Sequence, residues 1–146
     1  NNAAIANHPE DMVITTHVCR GNFHSTYASE GAYDPIAPYL FAREDVDAFY
    51  LEYDDARSGG FEPLKYIPEG KKVVLGLITT KSAELEDKNR IIRRIHDAAR
   101  YVPLENLYLS PQCGFASTEE GNILTEEDQW KKLALVKEIA ESVWDV

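Results

Sequence analysis

The sequence predicts an α/β fold in which parallel strands alternate with helices, as in half of a (β/α)8 barrel. Four short apolar runs are separated by segments with helical spacing, which is the pattern of repeated strand–helix units. The third run, residues 71–79, is apolar on both faces, as a buried parallel strand should be. The residues suited to chemistry follow the carboxyl ends of these runs, where (β/α)8 barrels place their active sites.

The composition is that of a single globular domain. The chain has 146 residues, 44% of them hydrophobic and 27% charged. Its net charge of −10 argues against a nucleic acid or an anionic membrane as partner. No apolar run approaches the roughly 20 residues that a membrane-spanning helix needs, and no signal peptide is visible. Two cysteines are too few for a disulfide framework, so we expect reduced thiols in a cytoplasmic protein.

The amino-terminal residues suggest that the chain is a fragment. The sequence does not begin with methionine, and residues 1–7 resemble the last turns of a helix that Asn7-His8-Pro9 ends. We therefore expect residues 1–146 to be a single domain that is part of a larger barrel. Half a barrel exposes sheet edges and apolar faces, which favours self-association.

The first half of the chain predicts two strands and one short helix. Strands are expected at residues 12–19 and 48–53, with a helix over residues 37–43 between them. Residues 20–36 contain Gly, Asn, Ser, Asp and Pro, which are turn-forming residues. An ordered loop of that length usually serves a function. No Gly-rich turn follows the first strand, which counts against nucleotide binding.

The second half predicts two further strands and two helices. Gly and Pro keep residues 58–68 irregular before the third strand. Apolar residues with the 3–4–3 spacing of one helical face come next, and they are Ile91, Ile92, Ile95, Ala98, Ala99 and Val102. The arginines of this segment indicate a solvated helix face rather than a phosphate site. A fourth strand at residues 107–110 precedes a last helix, which the capping-box sequence Thr125-Glu126-Glu127-Asp128 opens.

Three predicted strand ends carry side chains that zinc prefers. His17 and Cys19 are two residues apart at the end of the first strand, so both point to the same side. The second strand ends in acidic residues, and Cys113 follows the fourth strand. Imidazole, thiolate and carboxylate groups are the usual ligands of zinc, which is commonly four-coordinate in proteins. The sequence therefore predicts one zinc site made of a His, two Cys and a carboxylate.

The histidine and the cysteines each have a simpler interpretation as well. A free cysteine is often a small core residue, and Cys19 and Cys113 could instead form a disulfide. His17 could be a buried histidine whose hydrogen bonds are satisfied. Both cysteines, however, are next to polar residues or glycine at a predicted strand end, and the His-x-Cys spacing favours a ligand role.

The identity of the carboxylate ligand stays open at this point. The apolar run before Glu52 predicts that its side chain is buried, and a buried unpaired carboxylate is costly. Glu52 therefore needs a cation, which could be Arg57 or a metal ion. Asp54 and Asp55 could compete with Glu52 for the ligand role, and His24, in the long loop, could approach the site.

These residues carry a resemblance to cobalamin-independent methionine synthase. In that family zinc is held by a His-x-Cys pair, a glutamate at the next strand end and a cysteine in a Pro-x-Cys-Gly turn. The chain has the same order in His17-x-Cys19, Glu52 and Pro111-Gln112-Cys113-Gly114, and the resemblance extends over about residues 15–144. It implies that the chain is the C-terminal half of the catalytic (β/α)8 barrel, with His17, Cys19, Glu52 and Cys113 as zinc ligands.

The resemblance also implies an activity, that of a zinc-dependent methyltransferase of the cytoplasm. Such an enzyme moves a methyl group from 5-methyltetrahydropteroylglutamate or a related donor to the thiol of homocysteine, which forms methionine. The expected partners are a homocysteine-like thiol and a methyl donor such as methyltetrahydrofolate. We expect the isolated fragment to be inactive and its parent active. The alternatives are a structural zinc-binding domain and an inert fragment.

Two departures from the family concern the methyl donor. The stretch between Cys19 and Glu52 is longer than in the standard synthase and is similar to that of shorter single-barrel relatives. The family's proton-donating histidine, in an Asp-x-His-Ser segment, is matched by Lys81 in Leu77-Ile78-Thr79-Thr80-Lys81-Ser82. Lys81 and His24 are therefore candidate catalytic residues, and the sequence does not name the methyl donor.

Overall fold

The computed structural model describes residues 1–145. In this range helices and strands alternate, except that only the 3-10 turns Ala56–Ser58 and Glu62–Tyr66 lie between the second and third strands; a further 3-10 turn is at Leu104–Asn106. The elements are α1 (Asn2–Ile5), β1 (Thr15–Val18), α2 (Ala37–Arg43), β2 (Ala48–Glu52), β3 (Lys72–Ile78), α3 (Lys88–Ala98), β4 (Leu107–Pro111) and α4 (Glu126–Trp144).

The strands form one parallel sheet in the order β1-β2-β3-β4. Each strand pairs with the strand that precedes or follows it along the chain, which is the strand order of a (β/α)8 barrel. The predicted α/β architecture, with four parallel strands that alternate with helices, is confirmed. Its size is consistent with half of such a barrel.

The two faces of the sheet differ in their burial. Phe49 and Leu51 on β2 point into the hydrophobic core, together with buried residues of α2, α3 and α4. Tyr50 lies between them in the sequence, so it points to the opposite face, where it is 40% exposed. His17 is in register with Tyr50, and Tyr108 is 42% exposed at the matching position of β4.

The first strand is shorter than predicted. The apolar run suggested a strand from residue 12, but Met12 and Val13 are 49% and 72% exposed and precede β1. The amide of Ile14 donates to the side chain of Asp47 at 2.7 Å, so the ladder with β2 starts only at Thr15. The predicted strand was too long because the apolar residues Met12 and Val13 lie in an exposed segment before the strand.

Capping side chains explain where the two long helices begin. The carboxylate of Asp87 accepts a hydrogen bond from the amide of Arg90 at 2.6 Å, so α3 begins at Lys88, before its first apolar residue. Thr125 and Asp128 form the predicted capping box at the start of α4. The positions of both helices therefore follow from local hydrogen bonds as well as from their apolar faces.

The surface of α3 is polar, as its arginines predicted. Arg90 and Arg93 on α3, and Arg100 shortly after its end, are exposed, which confirms a solvated face. Arg94 is partly buried, and its guanidinium lies 5.3 Å from the centre of the Phe61 ring. None of the helices in residues 1–145 is both long enough and apolar enough to span a membrane.

Candidate metal centre

The structure brings His17, Cys19, Glu52 and Cys113 together at the carboxyl ends of β1, β2 and β4. One possible ligand atom from each residue lies within 4.8 Å of those of the other three. One imidazole nitrogen, two sulfurs and one carboxylate oxygen form a donor set that suits zinc. The residues therefore fit the ion that their types and spacing predicted.

The parallel pairing of β1 with β2 determines where His17 and Cys19 lie. His17 is the third residue of β1 and lies in register with Tyr50 on β2. Cys19 is the next residue of the same parity, directly after the strand. The amide of Gly21 donates to the Cys19 sulfur at 3.2 Å, and this sulfur lies 3.7 Å from Glu52 Oε1. The turn after β1 thus points Cys19 back towards β2.

Glu52 is fully buried, as the apolar run before it predicted. Its Oε2 accepts a hydrogen bond from the amide of Arg20 at 2.9 Å. The interpretation of Arg57 as its counter-ion is wrong, because Arg57 pairs with Asp55 at 2.6 Å and with Asp54 at 3.3 Å. Both aspartates therefore form ion pairs with Arg57, and neither belongs to the four-residue group.

A bulge between β3 and β4 brings Cys113 to the group. Gly76 pairs with Ser110 while Ile78 pairs with Pro111, so β3 contains one extra residue between the two pairs. A Cβ atom at Gly76 would lie 2.7 Å from the Cα of Gln112 and 2.9 Å from the carbonyl oxygen of Leu51. Only glycine therefore lets the segment before Cys113 cross so close to β3.

Partly buried hydrogen bonds join the loops that follow β1, β3 and β4. The Asn22 side-chain amide donates to the Gly114 carbonyl and to Ser117 Oγ, both at 2.8 Å. Asn122 donates to Asn22 Oδ1 at 3.1 Å and to the Thr80 carbonyl at 2.8 Å. Ser117 Oγ lies 3.4 Å from the sulfur of Cys113. This network holds the turn that carries Cys113 in place. It was not predicted from the sequence, where Asn22 was taken only as a turn-forming residue.

The His17 imidazole and the Cys113 thiol lie close enough to shift each other's pKa. Their interaction lowers the pKa of the Cys113 thiol to about 6 and raises the pKa of His17 above its usual value. Burial raises the pKa of Cys19. We therefore expect Cys113 to be a thiolate at neutral pH in the metal-free chain and Cys19 to keep its proton.

This difference predicts the order in which the two cysteines react in the metal-free chain. Because the thiolate is the nucleophile, iodoacetamide should modify Cys113 at a rate that rises through about pH 6. Cys19 should need a more alkaline pH although it is the more exposed residue. Mass spectrometry of peptides alkylated across a pH series measures both profiles. The prediction is wrong if the two cysteines titrate together, and His17→Asn should move the Cys113 profile to higher pH.

The two candidate catalytic residues lie outside the four-residue group. His24 is exposed, on a tight turn closed by hydrogen bonds between Phe23 and Thr26, and its φ is 45°. Lys81 lies in the loop after β3, and its Nζ is 3.8 Å from Asp54 Oδ2. The side chains of Lys81 and Asp54 are 10% and 1% exposed, so this pair is largely removed from water.

Comparison with known proteins agrees with the fold. Residues 2–141 match the family model described as cobalamin-independent synthase, catalytic domain. The uncharacterized protein YxjG of Bacillus subtilis (strain 168) is 57% identical over 144 residues, which are 98% of this chain and 38% of that protein. The methionine synthase of Pyrococcus abyssi (strain GE5 / Orsay) is 25% identical over 127 residues, which are 76% of this chain and 34% of that protein.

A solved structure from Listeria monocytogenes has the same fold. It is that of a candidate vitamin-B12 independent methionine synthase, with a TM-score of 0.75 and 45% sequence identity. The match covers 98% of this chain and 38% of the Listeria chain, so the present chain spans less than half of the relatives it matches. The family model, which matches nearly all of the chain, and these relatives show that the chain belongs to the cobalamin-independent synthase catalytic domain family.

Proposed function

We propose that the chain provides the metal-binding half of an S-methyltransferase. The enzyme moves a methyl group from 5-methyltetrahydropteroylglutamate, or a related donor, to the thiol of homocysteine and forms methionine. The observation that carries this proposal is the convergence of His17, Cys19, Glu52 and Cys113 to within 4.8 Å at the carboxyl end of the sheet. Family membership supports the reaction class.

The four residues would hold one zinc ion through two sulfurs, one nitrogen and one oxygen. When bound, the ion supplies Lewis acidity, which favours the thiolate form of an acceptor thiol at neutral pH. The chain contributes to the charge balance, because the lowered pKa of Cys113 favours its thiolate form and Glu52 supplies a buried carboxyl group. Thiolate ligands are electron-rich, which keeps an incoming sulfur nucleophilic. The reduced cysteines that this requires fit a cytoplasmic protein.

The arrangement of the ligands favours a catalytic site over a structural one. Structural zinc sites usually take their ligands from closely spaced pairs, such as Cys-x-x-Cys. Here the ligands come from three strand ends, at the edge of the sheet where barrel enzymes bind substrates. His17 and Cys19 are exposed, so a thiol could approach the group from their side. A structural zinc domain remains the alternative.

Lys81 is our candidate for the residue that donates a proton to the methyl donor during the reaction. It takes the place of the family's histidine, and its ammonium group is held beside Asp54 two residues after Glu52. Two residues of extended chain span roughly 7 Å, so Asp54 lies within about that distance of Glu52 along the backbone. The Lys81–Asp54 pair therefore lies at the same end of the sheet as the metal group. His24 is the second candidate, because its turn lies at the same end of the fold.

Formation of methionine tests the proposal. The zinc-loaded chain, alone and joined to the remaining part of the barrel, is incubated with homocysteine and a methyl-labelled folate donor, and labelled methionine is measured by mass spectrometry. We expect product from the joined protein only, and none after Cys113→Ser. Lys81→Met should lower the rate by roughly 100-fold or more without changing zinc content. The proposal is wrong if the joined protein binds zinc and methylates no thiol with any folate, corrinoid or sulfonium methyl donor.

A further inference from the structure

The end of β2 has an unusual partner on the side that faces β1. Strand β1 ends at Val18, which pairs with Leu51, so no residue of β1 pairs with Glu52. The phenolic oxygen of Tyr33, in the loop before α2, takes that place. It accepts a hydrogen bond from the Glu52 amide at 2.9 Å and donates to the Glu52 carbonyl at 3.2 Å.

Arg20 completes the attachment of Glu52 to the same loop. Its Nη1 donates to the Tyr33 hydroxyl at 2.9 Å and to the Glu52 carbonyl at 3.1 Å. Its Nε and Nη2 donate to the Gly31 carbonyl at 3.1 and 2.7 Å, and its guanidinium lies 4.2 Å from the centre of the Tyr33 ring. Its own amide donates to the carboxylate of Glu52 at 2.9 Å. Two residues of one loop therefore hold both the backbone and the side chain of Glu52.

All three residues are removed from water. Tyr33 is 1% exposed, Arg20 7% and Glu52 0%. Buried hydrogen bonds of this kind are rigid, because no water can replace a lost partner. The carboxylate of Glu52 is thus fixed in position before any metal arrives.

We propose that Arg20 and Tyr33 are positioning residues that fix Glu52 as a metal ligand, and that the loop of residues 20–36 is ordered for this purpose. The inference rests on the proposed function, since it assigns Glu52 to the metal. Groups that orient a ligand without touching the metal commonly change metal affinity by about 10- to 100-fold. Neither residue was singled out from the sequence, which predicted only a turn-rich loop whose length is typical of functional loops.

A neighbouring tyrosine provides a matched control. Tyr53 is also fully buried, and its ring centre lies 5.1 Å from that of Tyr33. Its hydroxyl has no hydrogen-bond partner among residues 1–145. Tyr33→Phe and Tyr53→Phe therefore remove the same atom from adjacent buried positions, but only the first removes hydrogen bonds to Glu52.

The test compares zinc affinity and amide exchange in the two variants. Competition with a chromophoric chelator should show zinc affinity lower by about 10-fold or more in Tyr33→Phe and within about 2-fold of the wild type in Tyr53→Phe. In the metal-free chain, hydrogen exchange at the Glu52 amide should become roughly 3- to 10-fold faster in Tyr33→Phe alone. The amide of Phe49, earlier in β2, should be unchanged in both.

The possible outcomes separate the two proposals. A wild-type chain that binds zinc, with equal affinity in both variants, overturns the role of Tyr33 and leaves the metal site standing. Equal losses of zinc affinity and of amide protection throughout the sheet in both variants also overturn it, since that result indicates general loosening of the core. A wild-type chain that binds no zinc overturns the proposed function itself.

Discussion

Replacing Cys113 by alanine is expected to weaken zinc binding by about 100- to 1,000-fold. Zinc sites with four protein ligands bind with about 10–16 kcal/mol, and one of four ligands accounts for a fraction of that energy, at about 1.4 kcal/mol per factor of ten. Cys113 should contribute at least as much of the binding energy as the other ligands. Its pKa of about 6 favours the thiolate, so zinc does not have to displace a proton from it at neutral pH. Chelator competition measures the affinity.

Ser110→Ala is the control for the Cys113 substitution. Ser110 lies on β4, and its hydroxyl donates to the neighbouring Pro111 carbonyl, so its loss leaves the four ligand atoms in place. Zinc affinity should stay within about 3-fold of the wild type in this variant. Equal zinc affinity of Cys113→Ala and the wild type would exclude Cys113 as a ligand and contradict the ligand set that the resemblance implies.

Lys132→Met should destabilise the fold by about 3–5 kcal/mol, because it leaves a buried carboxylate without its cation. Lys132 is fully buried on α4, and its Nζ lies 3.0 Å from both oxygens of Glu86 and also donates to the Glu84 carbonyl. Glu86 Oε1 in turn accepts from the amide of Thr79 at 2.8 Å. The pair therefore ties α4 to the segment directly after β3. Urea denaturation followed by circular dichroism measures the loss.

Two further variants test whether the loss of stability in Lys132→Met comes from the buried ion pair. Lys137→Met removes a lysine of the same helix whose side chain is 77% exposed and pairs with Glu141 at 3.6 Å, and it should cost less than about 1 kcal/mol. Adding Glu86→Gln to Lys132→Met removes the unpaired charge and should restore part of the stability. If Lys132→Met is as stable as Lys137→Met, the buried pair does not hold α4 in place.

Much of the candidate site could be predicted because it depends on strand ends. The two-residue spacing of His17 and Cys19 places both side chains on one side of a strand, whatever the details of the sheet. Parallel pairing places the carboxyl ends of all four strands at one edge of the sheet, which is why Glu52 after β2 and Cys113 after β4 could be grouped with them. The family resemblance selected Glu52 over Asp54 and Asp55 as the carboxylate, which periodicity alone could not do.

The supporting residues could not be predicted, because their roles depend on contacts between distant segments. Tyr33 and Arg20 reach Glu52 only because the loop of residues 20–36 folds over the end of β2. Lys132 follows the exposed lysine at position 131, and nothing local distinguishes the two. Arg57 was one of the two cations considered for Glu52, yet the 3-10 turn at Ala56–Ser58 directs it to Asp54 and Asp55 instead.

The most direct test of the metal site is the zinc content of the purified wild-type chain, together with the ligand set seen by zinc-edge X-ray absorption. We expect about one zinc ion per chain with sulfur ligands at about 2.3 Å and nitrogen or oxygen ligands at about 2.0–2.1 Å, in equal numbers. A chain that contains no zinc when it is purified from zinc-supplemented medium, or a bound zinc without two sulfur ligands, would contradict the site made of His17, Cys19, Glu52 and Cys113.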